Sequence, residues 1–526
     1  MKLFFVIAAL PLALQVSGQV SYERIREGDP KDWLTYSGTY DAQRFSRLDK
    51  INATNVKRLR PVWAYQIKAN DSFETSPLIA DGVMYASEPG GSVTALDTVT
   101  GRPLWKFRHD VAKGVRGCCG PVNRGVAILG DMVYVGTFDA HLIALDIKSG
   151  IVRWDAEVAD PKLGHSITAA PLALKDKIVV GMAGGEYGVR GFVDAYDAKT
   201  GKRAWRFWTV PAKGEPGFET WSGDSAKTGS ATTWVTGAYD PDQNIVFWGT
   251  GNPGPDWNGD NRAGDNLYSD CLLALDGDTG KLKWYFQFTP HDLHDWDSTE
   301  VPVLAEATVR GQKRKVVLFG NRNAFYYVLD RENGKFLAGK DYAKQTWAKG
   351  LDDSGRPILL PNAAPTSEGA KVYPDVGGGT NWFSPSFNPQ TNLFYVSAHD
   401  AGGYFLKGEA EYKPGAQFNG GGLKPIPGED HNGAIRALNP ATGALKWEFK
   451  LYSGSWAGVL STAGNLVFGS SNEGDFYALD ATAGKLLWRF QTGGPINANP
   501  VTYLSNGKQQ VAIAAGNSIF AFALDE

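Results

Sequence analysis

Cysteine is scarce in this 526-residue chain, which has three. None of them lies in a Cys-x-x-Cys-His segment, so the sequence has no attachment motif for a c-type haem. Beyond the apolar residues 3–14, which are themselves too few, no run approaches the length of about 20 residues that crosses a bilayer. The chain also has little net charge, since its formal value at pH 7 is −3. Neither a nucleic acid nor a membrane span is therefore expected.

The N-terminal segment has the pattern of a secretory signal peptide. Lys2 supplies a positive charge, residues 3–14 are almost wholly apolar, and the small residues Ser17 and Gly18 follow. We therefore expect residues 1–18 to be removed and residues 19–526 to form one exported domain. The expected compartment is the periplasm, whose oxidising conditions permit disulfide bonds.

Two of the three cysteines, Cys118 and Cys119, are adjacent. A bridge between neighbours closes almost no loop, so it removes little chain entropy. Their Cα atoms are about 3.8 Å apart across a trans peptide, which is shorter than the usual disulfide span. The pair is either two unpaired thiols or a small ring that serves a function, and the expected compartment favours the ring. Cys271 is expected to be a buried strand thiol.

One pattern recurs along the chain: Ala-x-Asp, a Gly four residues after the Asp, and a Trp four residues after the Gly. The copies are Ala95/Asp97/Gly101/Trp105, Ala144/Asp146/Gly150/Trp154, Ala195/Asp197/Gly201/Trp205, Ala274/Asp276/Gly280/Trp284, Ala478/Asp480/Gly484/Trp488, a variant with Asn at Ala437/Asn439/Gly443/Trp447, and the reduced copy Asp330/Gly334. The chain ends on a truncated copy at residues 523–525, and Trp63 could supply its missing Trp. We therefore count eight units.

Each unit predicts a small antiparallel sheet. Short alternating β segments precede the motif, the Asp hydrogen-bonds its own turn, and the Gly takes the left-handed position. The Trp then lies on the next strand and faces inward. Because such a sheet cannot bury both faces alone, neighbouring units must stack. We predict an all-β, eight-bladed β-propeller whose last blade is shared by the two ends of the chain. Long insertions between the later motifs are expected to carry the function.

Together these features resemble a known enzyme family. They are the Trp repeats, residues 118–125 (Cys-Cys-Gly-Pro-Val-Asn-Arg-Gly), residues 220–225 (Thr-Trp-Ser-Gly-Asp-Ser), Trp234, and residues 249–253 (Gly-Thr-Gly-Asn-Pro). The chain resembles the alcohol dehydrogenases that depend on pyrroloquinoline quinone (PQQ), including the large subunits of methanol dehydrogenases. The resemblance covers essentially all of the mature chain. The repeats alone are less specific, since non-catalytic propellers share them.

The resemblance implies a site for PQQ. In the family, a ring formed by adjacent cysteines covers one face of the quinone and a Trp covers the other, and Cys118, Cys119 and Trp234 match these positions. Further residues that match cofactor contacts are Glu74, Arg124, Thr168, Gly184, Gly185, Thr232, Arg322, Asn381, Trp382 and Trp456. Arginine suits this role because its guanidinium binds carboxylates through two hydrogen bonds.

The resemblance also implies a metal ion and a catalytic base. Glu186, Asn252 and Asp295 match the metal ligands, and their oxygen donors suit a hard cation. Asp295 also matches the base that removes the alcohol proton. Arg322 matches the residue that hydrogen-bonds the developing oxygen charge. The implied reaction is oxidation of a primary alcohol to the aldehyde by hydride transfer to metal-activated PQQ.

Asp297 bears on the identity of the metal. On a strand-like stretch, Asp297 and Asp295 point the same way, so both carboxylates can meet one ion. Lanthanide-dependent members of the family resemble this chain in carrying Asp there, whereas the calcium type has a small uncharged residue. A trivalent ion gains more from an additional carboxylate. We therefore expect a lanthanide, and the alternative is a surface Asp beside a Ca²⁺ site.

The chain departs from the family at His294, where a Trp is usual. We expect His294 to hydrogen-bond Asp295 or to shape the substrate pocket, which leaves methanol, ethanol and larger alcohols open as substrates. A zinc cluster of His291, Asp292 and His294 is a less favoured alternative.

The resemblance extends to partners. Without a haem motif, the electrons are expected to pass to a periplasmic cytochrome c. Family members are often homodimers, so a homodimer is an open expectation for this chain. Two other functions stay open: a PQQ-dependent dehydrogenase of sugars or polyols, and a non-catalytic propeller scaffold.

Overall fold

The computed structural model describes residues 19–68 and 71–525. Within these ranges the regular structure is mainly β-strand, with one α-helix, α1 (Tyr22–Glu27). Short 3-10 helices occur at Val56–Arg58, Pro89–Gly91, Pro161–Leu163, Gly185–Tyr187, Phe218–Thr220 and Ser225–Thr228. No helix in the described ranges has the length and apolarity needed to cross a membrane. The predicted signal peptide, residues 1–18, lies outside the described residues.

The strands follow one another at short intervals along the whole described chain. They are β1 (Phe45–Ser46), β2 (Leu59–Gln66), β3 (Leu78–Ala80), β4 (Val83–Ser87), β5 (Val93–Asp97), β6 (Pro103–Phe107), β7 (Ala127–Leu129), β8 (Met132–Gly136), β9 (His141–Asp146), β10 (Val152–Glu157), β11 (Leu172–Ala173), β12 (Lys177–Gly181), β13 (Phe192–Asp197), β14 (Arg203–Trp208), β15 (Ala238–Asp240), β16 (Ile245–Gly249), β17 (Cys271–Asp276), β18 (Leu282–Gln287), β19 (Val303–Val309), β20 (Gln312–Gly320), β21 (Phe325–Asp330), β22 (Phe336–Asp341), β23 (Ala348–Leu351), β24 (Pro357–Leu359), β25 (Ala370–Val372), β26 (Ser386–Asn388), β27 (Leu393–His399), β28 (Gly403–Lys407), β29 (Gly421–Pro425), β30 (Gly433–Leu438), β31 (Leu445–Leu451), β32 (Leu460–Thr462), β33 (Leu466–Ser470), β34 (Asp475–Asp480), β35 (Leu486–Gln491), β36 (Val501–Ser505), β37 (Lys508–Ala515) and β38 (Ser518–Leu524).

Most of these strands form four-stranded antiparallel sheets in chain order. The sheets are β3–β6, β7–β10, β11–β14, β15–β18, β19–β22, β26/β27/β30/β31, β32–β35 with β1 added in parallel, and β36–β38 with β2. Two smaller sheets, β23/β24 and β25/β28/β29, come from the insertions between the repeats. The result is an all-β, propeller-like fold, and Cys271 is a buried free thiol on β17, as expected.

The two ends of the described chain meet in one sheet. Strand β2 pairs antiparallel with β38, which confirms the expected sharing of the last sheet. The register places Trp63 opposite Ala521, whereas in the other repeats the Trp lies opposite the motif Ala, as Trp105 does opposite Ala95. The last copy of the repeated pattern therefore begins at Ala521. The prediction that it begins at residue 523 was wrong by two positions. No turn joins β38 to β2, so the motif Asp is not needed there.

The repeat tryptophans connect most of the sheets to the next one. Trp284 packs against Gly334, but its indole N–H has no hydrogen-bond partner in the described structure, and the other six tryptophans each make an indole hydrogen bond. Their indole N–H groups donate to backbone carbonyls in the adjacent sheet: Trp63 to Thr98, Trp105 to Ile147, Trp154 to Ala198, Trp205 to Gly277, Trp447 to Ala481 and Trp488 to Leu59. The last of these bonds joins the sheet β32–β35 to β2 and so links the end of the series back to its beginning. These hydrogen bonds therefore fix the order of the sheets that they join.

The motif glycines make room for these tryptophans. Gly150 has φ +69°, and a Cβ at this position would lie 2.5 Å from the Trp105 ring. Any side chain would therefore meet both backbone strain and a steric clash. The fifth repeat, at Asp330 and Gly334, has no Trp. The motif glycine of the repeat that follows it, Gly443, packs against Tyr326 instead.

Replacing Gly150 by Ala should cost more stability than backbone strain alone explains. Gly507 is the matched control, because it has φ +75° and a Cβ added there would have no atom within 4 Å. We expect Gly507→Ala to lose about 1–2 kcal/mol in the free energy of unfolding. Gly150→Ala should lose about 1–3 kcal/mol more because it overpacks Trp105. Urea unfolding measures both, and equal losses would contradict the packing role of the Trp–Gly contact.

Candidate active site

The candidate residues come together around one cavity of 680 Å³. Those that line it are Glu74, Cys118, Cys119, Arg124, Thr168, Gly184, Glu186, Thr232, Trp234, Asp295, Asp297, Arg322, Asn381, Trp382 and Trp456. They are spread over nearly 400 residues of sequence but lie on loops that the sheets bring together. The sulfur atoms of Cys118 and Cys119 are paired in this wall.

Two candidates, Gly185 and Asn252, lie behind the cavity wall. The carbonyl of Gly185 accepts a hydrogen bond from the Ser230 hydroxyl at 2.6 Å. The backbone N–H of Asn252 donates to Asp297 Oδ1 at 2.8 Å, and its side-chain amide donates to Asp256 Oδ1 at 2.8 Å. The amide N–H₂ of Asn252 is thus engaged by Asp256, which leaves its carbonyl oxygen as the free donor atom for a cation.

Arg124 is the basic group at one side of the cavity. Its Nη2 forms an ion pair with Glu74 at 2.7 Å, and its guanidinium lies 5.0 Å from the Trp234 ring and 4.6 Å from the Trp382 ring. Its Nε and Nη1 are buried and have no hydrogen-bond partner in the described structure. Buried donors without partners are costly, so these two N–H groups fit an anionic ligand in the cavity.

Three carboxyl groups line another part of the cavity, and a fourth lies behind it. Glu186, Asp295 and Asp297 face the interior, while Asp256 is buried against Asn252. Removal from bulk water raises the pKa of all four. For Glu186 this burial, reinforced by the charge of Asp297, raises the pKa to about 7.

Arg322 is the guanidinium that opposes this repulsion. Its Nη1 donates to Asp297 Oδ2 at 2.6 Å, and its Nη2 lies 3.8 Å from Asp295 Oδ2. Its charge lowers the pKa of both aspartates against the effect of burial. One guanidinium cannot balance the three carboxylates that line the cavity, so the donor set fits a bound cation.

Asp297 already has three hydrogen-bond donors. They are the backbone N–H of Asn252, the indole N–H of Trp234 at 3.1 Å and Arg322.

In the described ranges, no three His, Cys, Asp or Glu side chains are grouped closely enough to hold a metal ion by themselves. The proposed metal set therefore stays a prediction, and the zinc alternative at His291 and His294 gains no support.

Asp295 has an unusual backbone conformation, with φ +59°. The left-handed region costs an L-residue about 1–2 kcal/mol, and Asp is among the residues that tolerate it best. Asp295 and Asp297 both line the cavity, as the spacing predicted, but they lie on a loop and not on a strand. Strain of this kind occurs at sites where a side chain must be aimed.

The expectation for His294 was wrong. Its imidazole stacks on Trp296 with the ring centroids 4.2 Å apart, and its Nε2 lies 2.7 Å from the Ala363 carbonyl oxygen. It neither hydrogen-bonds Asp295 nor lines the cavity, because its side chain is packed behind the wall, where it is 6% exposed. Alternation along the loop explains this, since residues 295 and 297 face the cavity and residues 294 and 296 face the core.

Sequence reasoning missed several residues at the site. Asp375, Val376, His399, Leu423 and His431 line the cavity, and Asp256 lies behind Asn252. All but Asp256 belong to the long insertion after the fifth repeat or to β27–β30, where the sequence has no periodic signal. Asp256 could have been found from its position four residues after Asn252, in the same Gly- and Pro-rich loop.

Comparisons with known proteins show which family this chain is similar to. The family model described as the glucose/ethanol/alcohol dehydrogenase β-propeller domain matches residues 33–341, and a model described as outer membrane protein assembly factor BamB matches residues 431–525. The chain is 40% identical to the quinoprotein alcohol dehydrogenase PedH of Pseudomonas putida, over 97% of this chain and 91% of the relative.

Two solved structures superpose on almost the whole chain. The quinohemoprotein alcohol dehydrogenase of Comamonas testosteroni has a TM-score of 0.91 at 34% identity and covers 96% of this chain and 82% of its own. A europium-containing methanol dehydrogenase also has a TM-score of 0.91, at 32% identity, and covers 96% of this chain and 100% of its own. Since the family model spans more than half of the sequence and the relatives match nearly all of it, this chain belongs to the family of PQQ-dependent quinoprotein alcohol dehydrogenases.

Proposed function

We propose that this protein oxidises a primary alcohol to the aldehyde in the periplasm, using PQQ and one metal ion. Two features of one cavity carry the proposal. Arg124 has two buried N–H groups without hydrogen-bond partners in the described structure, and the carboxylates of Glu186, Asp295 and Asp297 outnumber the guanidinium of Arg322. The first feature fits the carboxylates of PQQ, and the second fits the metal ion that accompanies it.

The scaffold for this site is an eight-bladed propeller. Eight four-stranded sheets in chain order support it, as do the indole hydrogen bonds that join successive sheets. We propose that each sheet is a blade and that the repeat tryptophans dock neighbouring blades.

For PQQ, the proposed contacts are of two kinds. Arg124 would donate from Nε and from Nη1 to carboxylate oxygens of PQQ, while Glu74 fixes its third nitrogen. The paired cysteines Cys118–Cys119, as a disulfide ring, and the indole of Trp234 would cover the faces of the flat ring system. Other polar contacts would come from Gly184, Thr168, Thr232 and Asn381, with Trp382 and Trp456 completing the wall. Gly185 would support this wall from behind, through its hydrogen bond with Ser230.

The proposed metal ligands are Glu186, Asn252, Asp295 and Asp297. The ligand carboxylates of Glu186, Asp295 and Asp297 carry three negative charges when all are ionised, and the guanidinium of Arg322 faces them with one positive charge. A trivalent ion gains more than Ca²⁺ does from the additional carboxylate of Asp297. We therefore favour a lanthanide, with Ca²⁺ as the alternative.

Bound PQQ supplies the hydride acceptor, and the metal ion supplies Lewis-acid activation. In the chain itself, the carboxylate of Asp295 accepts the hydroxyl proton of the alcohol, since it faces the cavity and has a raised pKa. The Nε and Nη2 of Arg322 both donate to the Val376 carbonyl, which holds the guanidinium in place and leaves Nη1 directed at Asp297. It steadies negative charge that develops there.

Electrons would pass to a separate periplasmic cytochrome c, because the sequence carries no haem attachment motif. A homodimer remains part of the proposal. A sugar or polyol dehydrogenase is the second candidate, since Asp375, His399 and His431 add polar groups to the cavity lining that could meet further hydroxyl groups. A scaffold role explains the BamB match but not the carboxylate cluster.

Metal reconstitution tests the function and the metal together. Metal-free protein loaded with PQQ should reduce a dye in the presence of methanol, ethanol or a larger primary alcohol when La³⁺ is added, and should respond less to Ca²⁺. Activity with Ca²⁺ only would keep the enzyme class and reject the lanthanide. Inactivity with both metals on all alcohols, together with turnover of glucose or glycerol, would favour the second candidate.

Asp297→Asn tests the residue that we expect to select the metal. The substitution keeps the shape of the side chain and removes one negative charge, so La³⁺-dependent activity should fall by about 10-fold or more relative to Ca²⁺-dependent activity. Asp278→Asn, an exposed aspartate near Lys177 and remote from the cavity, is the control and should change neither activity. An unchanged ratio of La³⁺ to Ca²⁺ activity in Asp297→Asn would show that Asp297 is a bystander.

Arg124→Lys tests the binding of PQQ. Lysine keeps the charge but loses the two parallel donors, so we expect the dissociation constant of PQQ to rise by about 10-fold or more. Arg190→Lys is the control, since Arg190 also stacks on an indole, that of Trp208, and pairs with Glu215 outside the cavity. An absorbance titration with PQQ gives the dissociation constants of the Arg124→Lys and Arg190→Lys variants. If the two variants bind PQQ with equal affinity, the role of Arg124 is refuted.

A further inference from the structure

The loop from His291 to Asp297 is organised around a carboxylate outside the cavity. Asp292 is 1% exposed, and it is not among the residues that line the described cavity. Its Oδ1 accepts a hydrogen bond from the N–H of His294 at 3.0 Å, and its Oδ2 accepts one from the N–H of Trp296 at 2.8 Å. These two N–H groups belong to the residues on either side of Asp295.

This bridge coincides with the left-handed conformation of Asp295 at φ +59°. By holding the N–H group before Asp295 and the one after it, a single carboxylate fixes how the backbone turns at that residue. Charged acceptors make stronger hydrogen bonds than neutral ones, so such a bridge can stabilise a conformation that is otherwise unfavourable.

The neighbouring side chains support the same orientation. His294 and Trp296 stack against each other on the core side, and the Trp296 indole N–H donates to the Asp375 carbonyl at 2.9 Å. With the residues on both sides committed to the core, the side chain of Asp295 is left to face the cavity.

Asp292 itself is anchored by a buried arginine. Arg262 is fully buried, and its Nη2 donates to the Asp292 carbonyl at 2.6 Å and to the Pro255 carbonyl at 3.0 Å. Pro255 lies three residues after Asn252, so Arg262 joins the loop that carries Asn252 to the loop that carries Asp295. The relative position of these two loops is thereby fixed.

We propose that Asp292 is a positioning residue, whose carboxylate holds Asp295 in the conformation that presents it to the cation and to the substrate. The inference rests on the proposed function only for what Asp295 does once it is in place. Asp292 touches neither the cavity nor the reacting groups, and it acts through the backbone of Asp295.

Asp292→Asn is the first test, because the amide keeps one acceptor and replaces the other by a donor that repels an N–H group. The probe is Tb³⁺, added to the metal-free full chain and followed by its luminescence on excitation of tryptophan. We expect the affinity for Tb³⁺ to fall by about 10- to 100-fold. In PQQ-loaded protein, kcat per PQQ should fall in the same range, while KM for the alcohol changes little.

Asp240→Asn is the matched control. Asp240 is also buried, at 4% exposed, and its Oδ1 also accepts hydrogen bonds from two backbone N–H groups, those of Asp242 and Gln243, away from the cavity. The Asp240→Asn variant should bind Tb³⁺ with the same affinity as the unmodified chain. Equal Tb³⁺ affinity in Asp292→Asn and the unmodified chain would overturn the proposal.

A double-mutant cycle separates positioning from general loss of structure. If Asp292 acts through Asp295, the effect of Asp292→Asn on Tb³⁺ affinity should nearly disappear in an Asp295→Asn background. An undiminished loss in that background would overturn the proposal. Should Asp292→Asn not fold, Asp292→Ser, which retains one acceptor for the loop, carries the same comparison.

The outcomes also distinguish this inference from the proposed function. The Tb³⁺ measurements need neither PQQ nor turnover, so they support or refute the positioning role even if the unmodified chain oxidises no alcohol. Absence of Tb³⁺ binding by the unmodified chain would overturn the inference, whatever its activity.

Discussion

The contact between a tryptophan of one sheet and a glycine turn of the next is the interaction on which the structure depends. A four-stranded sheet is too small to bury its faces alone, so each must be packed against neighbours. The indole supplies both a large apolar surface and one directional hydrogen bond, as Trp105 does toward Gly150 and Ile147. The hydrogen bonds of Trp488 to Leu59 and of Trp63 to Thr98 join the last sheets of the series to the first, which leaves little freedom for the loops that the sheets carry.

That rigidity allows the site to contain groups that repel one another. Glu186, Asp295 and Asp297 are kept together around a cavity where desolvation raises the pKa of each, and flexible loops would relieve this repulsion by moving apart. Arg322 and Arg262 are themselves fixed by backbone carbonyls, those of Val376 and Asp292 among them. The cations of the chain therefore hold loops in place and leave part of the negative charge for a ligand to balance.

Much of this arrangement could be predicted from the sequence because its signals are local. The Ala-x-Asp, Gly and Trp pattern encodes a turn and a packing position within twelve residues, and the order of the sheets follows from the order of the repeats. The cavity residues found by resemblance lie in short motifs. Leu423 and Asp375 were missed because the insertion that carries them has no period, and their place depends on the pairing of β28 with β29 or on loop packing. The register of Trp63 with Ala521 likewise joins distant parts of the chain and has no local signal.

His294 shows a different limit. The sequence places it beside Asp295, and adjacency suggested contact, but its imidazole is held on the core side by Trp296 and by the Ala363 carbonyl. The residue that does act on Asp295 in the structure is three positions away and reaches it through backbone N–H groups, which have no signature in the side chains. A site of this kind has two sets of determinants. The side chains that face the cavity decide which ligand fits, and the carboxylates and guanidinium groups behind them decide whether those side chains face the cavity at all.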